Sequence, residues 1–147
     1  MHTFRRRIAM FAIAVPVVLV AAGCGGDSNR TESYSALISK ANAICAAVST
    51  QAKAAQAAQD YDKLVTVSDD AMKKLKALTP PDKLKAAYDD YVTKQQATVD
   101  SIKPVVAALK AKDQATAQSE ITKSNALGAQ SDAAAAKVGL AECAKKS

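Results

Sequence analysis

Beyond Ser33 the chain carries almost nothing that would end a helix. From Tyr34 to Ser147 there are two glycines, Gly128 and Gly139, and three prolines, Pro80, Pro81 and Pro104, against 28 alanines. Alanine, lysine, glutamine and leucine are strong helix formers, and no window alternates with the period of two that a half-buried strand requires. This stretch predicts an all-α domain.

Apolar residues recur at helical spacing along it. Over 34–59, Tyr34, Ile38, Ala41, Cys45, Val48, Ala52 and Ala55 follow steps of four and three, widened by Leu37 and Ile44. A second helix follows Asp60, a residue suited to the N-cap, with Leu64, Val67, Ala71, Leu75 and Leu78 inward. In "LTPPD", Thr79 is placed to cap a third helix, with Pro80 at its first position and Asp82 completing a capping box. That helix carries Leu84, Tyr88, Tyr91, Gln95, Thr98, Ile102 and Leu109. Pro104 inside it predicts a bend near Lys103 or two helices in place of one, because proline removes a backbone hydrogen bond and crowds the preceding turn. Asp113 would cap a fourth helix, with Ala117, Ile121, Leu127, Gly128, Ala135 and Val138 inward. Four amphipathic helices on short connections make an antiparallel up-down-up-down four-helix bundle. Two connections look alike, "AAQAAQDYDKL" and "VAALKAKDQATA", which reads as convergent capping by aspartate rather than as a repeat.

The chain in front of that domain is of another kind. "MHTFRRR" is basic, residues 8–22, "IAMFAIAVPVVLVAA", carry no charge, and small residues close the run, the order of a secretory signal peptide. Fifteen helical residues rise only about 22 Å against a hydrocarbon core of about 30 Å, so a permanent span is the poorer reading. The end of the run, Ala21, Ala22, Gly23 and Cys24, resembles a bacterial lipobox, with Ala21 where the usual leucine stands. That resemblance implies cleavage before Cys24 and a diacylglyceryl group on its sulfur. The expected organisation is a signal peptide over 1–23, a flexible tether over 24–33 after lipidated Cys24, and a helical domain over 34–147. Each buried methylene contributes about 0.8 kcal/mol, so one acyl chain binds marginally and two or more hold firmly. The polar "GGDSNRT" that follows reaches about 25 Å at full stretch.

Export would leave Cys45 and Cys143 outside the reducing cytosol, where two cysteines of a small domain pair more often than not. In an up-down-up-down bundle the end of the fourth helix returns beside the first. Gly139 can end that helix, so that "LAEC" folds back toward Cys45, about three turns into the first helix. The expectation is a bundle with one disulfide, Cys45–Cys143. A free buried Cys45 and an intermolecular bridge through Cys143 are the alternatives.

The remaining chemistry is mostly a matter of absences. Removing Arg5, Arg6 and Arg7 with the signal leaves a net charge of +3, spread along the chain as lysines, and there is no aromatic–basic interleaving. Nucleic acid is therefore a poor partner. The sole histidine, His2, would leave with the signal, and there is no CxxC, no Glu-x-x-His and no calcium-loop spacing. No metal, no cofactor and no nucleophile–base set is expected. Asp69–Asp70 and Asp89–Asp90 are adjacent pairs pointing about 100° apart on a helix, which suits solvated surface better than acid–base work. Tyr88 and Tyr91 with Gln95 and Thr98 put polar atoms on a core stripe, either lining a small interhelical pocket or satisfied within the packing.

The lipobox-like end, the early "ANAICAAV", the central "LTPPDKL" and the terminal "GLAEC" together resemble a group of small, alanine-rich, helical actinobacterial lipoproteins. The resemblance implies a helical bundle, a disulfide and a cell-envelope location, and it transfers no catalytic residue. Two functional classes follow. One is a non-catalytic envelope module, anchored in the membrane through its lipid, that binds an envelope protein, a lipid or a small molecule through its helix faces. The other is a carrier or sensor holding a small apolar ligand in a pocket near Tyr88, Tyr91 and Gln95.

Overall fold

The computed structural model describes residues 32–145, and over them the chain forms four helices and no strand. These are α1 (Tyr34–Ala57), α2 (Tyr61–Lys76), α3 (Asp82–Lys110) and α4 (Gln114–Val138). The expected signal peptide, Cys24 and the tether as far as residue 31 lie outside the described residues. Each helix packs on its neighbour in sequence, α1 on α2, α2 on α3 and α3 on α4, as an up-down-up-down bundle.

The α1–α2 and α3–α4 connections share one geometry. Ala58 and Ala111 end their helices in right-handed conformation, and Gln59 (φ 54°) and Lys112 (φ 57°) then turn the chain through the left-handed region. The Asp60 N–H returns to the Ala55 carbonyl at 2.9 Å and the Asp113 N–H to Ala108 at 3.0 Å. Each carboxylate then accepts from the backbone three residues on, Lys63 and Thr116, at 3.0 Å in both cases. The two aspartate caps expected from the sequence are in place, and the carbonyls that close the turns belong to the buried alanines Ala55 and Ala108.

The α2–α3 connection departs from expectation. Thr79 does not cap α3; the N-cap is Pro81, extended at φ −62° and ψ 151°, with no side-chain bond to the helix. A residue before proline is pushed out of helical conformation, so two prolines in a row delay the helix until Asp82. The Thr79 carbonyl instead accepts the Glu32 N–H at 2.9 Å. Glu32 and Ser33, placed in the tether by sequence, are thus attached to the bundle: Ser33 caps α1 through the Ala36 N–H, and Glu32 pairs with Lys40 at 2.9 Å. Nor is α3 divided in two, since it runs continuously through Pro104. Pro104 and Asp100, whose carbonyl the proline leaves without its helical donor, are both exposed, so water can serve that carbonyl.

The core lies toward one end. Leu37 and Ala41 come from the first half of α1, Met72 and Leu75 from the second half of α2, Tyr88 and Tyr91 from the first half of α3. Ala134, Ala135 and Val138 from the end of α4 complete it with Leu140. Antiparallel order brings these four half-helices to the same level. The opposite end is closed largely by small buried residues, Ala55, Ala108 and Ala117 among them. Tyr34 was expected inward, yet it is 54% exposed while Leu37 takes the buried place. It stands at the very start of α1, where its ring overhangs the bundle end.

Gly139 ends α4 in the left-handed conformation, φ 87° and ψ 21°. Leu140 then turns into the core, and the Glu142 N–H donates to Asn42 Oδ1 at 2.9 Å. The segment closes on α1 through the Cys45–Cys143 disulfide, with Cα atoms 5.1 Å apart across 98 residues. The pairing is therefore intramolecular, the first of the three arrangements that the sequence left open.

Candidate functional site

The three residues singled out as a possible pocket sit on the inner face of α3. Tyr88 and Tyr91 are one turn apart, both buried, with ring centroids 6.0 Å apart and planes tilted by 59°. Their polar atoms are committed within the protein. The Tyr88 hydroxyl donates to the Leu75 carbonyl at 2.8 Å, tying α3 to the last turn of α2. The Tyr91 hydroxyl donates to Cys45 Sγ at 3.5 Å; a disulfide sulfur has no proton, so the phenol is the donor. Burial, foremost, holds both phenols protonated well above their usual range, with Glu32 and Asp89 adding to the effect on Tyr88. Tyr88 and Asp132 add to it on Tyr91.

Gln95 lies one turn further along, where Ser131 of α4, itself fully buried, donates to its Oε1. The polar seam continues, with Thr98 bonding back to the Lys94 carbonyl at 3.1 Å and Ser101 reaching Ser124 of α4 at 2.9 Å. Gly128 faces Thr98 across this seam, and a methyl group added there would stand 3.9 Å from Thr98 Cγ2, an ordinary contact. Sequence reasoning missed Ser131, Ser124 and Asn42. An inward Gln95 was itself a signal, since a buried amide needs a partner on a facing helix.

The acidic pairs are surface ion pairs. Asp70 meets Lys73 at 3.0 Å, Asp89 meets Lys85 at 2.7 Å, Asp90 meets Lys94 at 2.6 Å, and Asp69 meets Lys103 at 3.6 Å. Among the described residues no three histidine, cysteine, aspartate or glutamate side chains stand close enough to hold a metal ion. Among them, too, no helix is long and apolar enough to cross a membrane.

Two open grooves mark the surface. One, of about 310 Å³, runs between α1 and α2 over Ile44, Val48, Val67 and Ala71, with Asp70 and Lys74 at its rim. The other, of about 570 Å³, lies at the end of the bundle among Tyr34, Pro81, Asp82, Lys83 and Leu84. Neither is lined by Tyr88, Tyr91 or Gln95. No family model, no curated protein and no solved structure matches the chain.

Proposed function

We propose that this protein is a membrane-anchored lipoprotein of the cell envelope, a non-catalytic helical module that works by presenting its outer faces to a partner. The observation that carries the extracytoplasmic location is the Cys45–Cys143 bridge, which belongs to an oxidising compartment. The sequence supplies the rest, with an apolar run that ends at Cys24 and a polar tether behind it. The interior supports a surface role over a carrier's pocket: the hydroxyls of Tyr88 and Tyr91 and the amide oxygen of Gln95 are satisfied inside the packing. With core side chains spent on one another, the groove over Ile44 and Val48 and the groove beside Tyr34 offer surfaces for recognition.

The test is the N-terminus of the protein taken from its own membranes. Intact mass and peptide mapping are expected to find Cys24 as the first residue, carrying lipid, and Cys24→Ser is expected to leave the membrane fraction. Wild-type protein that retains residues 1–23, or that lacks lipid on Cys24, overturns the reading.

A further inference from the structure

We infer that the bundle end formed by Tyr34, Pro81, Lys83 and Leu84, with the last turn of α2, is a contact surface for anionic lipid headgroups. This rests on the anchored reading of Cys24, and the tether decides which end faces the bilayer. Seven residues separate Cys24 from Glu32, eight Cα-to-Cα steps or about 28 Å when fully extended. The Glu32 N–H is fixed to the Thr79 carbonyl, within the α2–α3 connection. A helix the length of α1, 24 residues, is about 36 Å long, so the Asp60 and Asp113 turns at the other end stand away from the anchor.

The chemistry of that end fits a headgroup layer. Tyr34 is the one large apolar side chain exposed among the described residues, and it borders an open groove with Pro81, Leu84 and Lys83. A half-exposed tyrosine with a polar tip suits the boundary between acyl chains and water. Lys73, Lys74 and Lys76 fill the last turn of α2, and Lys83 and Lys85 follow at the start of α3, against Asp82. Lys73 and Lys85 pair with Asp70 and Asp89 along their own helices. Lys74, Lys76 and Lys83 meet no carboxylate among the described residues, which leaves their charge for a ligand. At the far end Lys53, Lys63 and Lys112 likewise meet no carboxylate among the described residues, but Asp60, Asp62 and Asp113 interleave with them. A lysine close to an anionic bilayer strengthens binding about fivefold, an effect that fades within a Debye length and so requires this end to lie against the surface.

The protein contains no tryptophan, so Tyr34→Trp in the full chain, purified from membranes, places a single reporter at the surface in question. It would be reconstituted into phosphatidylcholine vesicles with or without one-third phosphatidylglycerol, in each case with brominated acyl chains. Emission from position 34 is expected to be blue-shifted and quenched at least twofold in the anionic vesicles, and released by about 0.5 M salt. Lys74→Gln, Lys76→Gln and Lys83→Gln together should abolish the quenching; Lys53→Gln, Lys63→Gln and Lys112→Gln together should not, with circular dichroism showing both triple variants folded. Lipid on Cys24 with no quenching overturns this inference and leaves the anchor standing. Quenching in a chain without lipid on Cys24 overturns the anchor alone. Burial of position 34 that grows with protein concentration in detergent, without vesicles, means that a second copy covers this end, and overturns the inference.

Discussion

The Tyr91 hydroxyl donates to the Cys45 sulfur across 3.5 Å, so the aromatic core and the bridge to the C-terminal segment meet at one point. The α4 exit contributes Leu140 to the core and Cys143 to α1, and Glu142 adds a backbone bond to Asn42 between them. The bundle is closed through this short segment.

Losing the disulfide should therefore be costly. A loop of 98 residues falls where the chain-entropy argument gives about 4.7 kcal/mol, and removal of a native bridge from a small exported domain typically costs about 2–5 kcal/mol. Cys45→Ala with Cys143→Ala is expected to lower the unfolding free energy by about 2–4 kcal/mol. Urea titration should give a lower midpoint and a steeper slope, since the unlinked chain exposes more surface. Wild type in reductant should match the double variant; an unchanged midpoint in both would contradict this account.

The two tyrosines should differ. Tyr88→Phe removes a hydrogen bond to the Leu75 carbonyl, which still accepts the Leu78 N–H at 3.2 Å, so the cost is about 1 kcal/mol rather than that of an orphaned acceptor. Tyr91→Phe gives up only a bond to sulfur, a weak acceptor, and should cost less than about 0.5 kcal/mol. Both phenols are held above their ordinary value of 10.0. The unfolded chain thus releases these protons first. Their contribution is complete below pH 10 and is lost as pH rises toward the folded values. Each Phe variant should flatten the fall in stability above pH 10, measured by urea midpoints at stepped pH. A parallel fall in wild type and both variants would show that the phenols are not responsible.

Left-handed residues at the helix ends give substitutions of opposite sign. Lys112 holds φ 57° without being glycine, a conformation that costs an L-residue about 1–2 kcal/mol. Lys112→Gly is expected to stabilise by about 0.5–1 kcal/mol, the remainder being offset by glycine's larger entropy loss. Gly139→Ala is expected to destabilise by about 1–2 kcal/mol through the same backbone preference. The added Cβ would also meet the Tyr34 hydroxyl at 2.8 Å, but that is the tip of a half-exposed side chain and can swing aside. Tyr34→Ala should therefore not rescue Gly139→Ala in thermal melts; a full rescue would place the cost in the contact instead.

Much of this architecture was legible because it is written in residues of definite character. Asp60, Asp113 and Gly139 are caps by type, and Cys45 and Cys143 are paired by the topology that the four stripes dictate. Alanine says far less. In "SDAAAAKVGL" four successive alanines fit nearly any face; the helical stripe picks out Ala135, and only the packing adds Ala134 and Ser131 to the buried set. Met72 and Ser68 were missed for a related reason: the stripe of Leu64, Val67, Ala71 and Leu75 already satisfied the helical period, and the buried face of α2 is wider than that. The site expectation turned on a choice that sequence could not make. Inward tyrosine hydroxyls serve a ligand pocket and an internal hydrogen bond equally well until the Leu75 carbonyl and the Cys45 sulfur are seen beside them.

Pro104 offers the sharpest test of how α3 tolerates its own sequence. A proline in a helix interior ordinarily costs about 3 kcal/mol through its missing N–H and its clash with the preceding turn, yet α3 continues to Lys110. The exposure of Asp100 explains part of the tolerance, because water can replace the lost donor there. The burial of Val99 and Val106 on the other side of the helix supplies the rest, since breaking α3 would strip both of cover. Proline also restricts the unfolded chain, which returns about 0.4–1 kcal/mol to the folded state. Pro104→Ala should restore the hydrogen bond and relieve the clash, raising the unfolding free energy by about 1–2 kcal/mol with no change in helix content. Urea unfolding followed by circular dichroism measures both. A variant less stable than wild type would mean that α3 needs the bend a proline imposes, and that Val106 reaches the core only because of it.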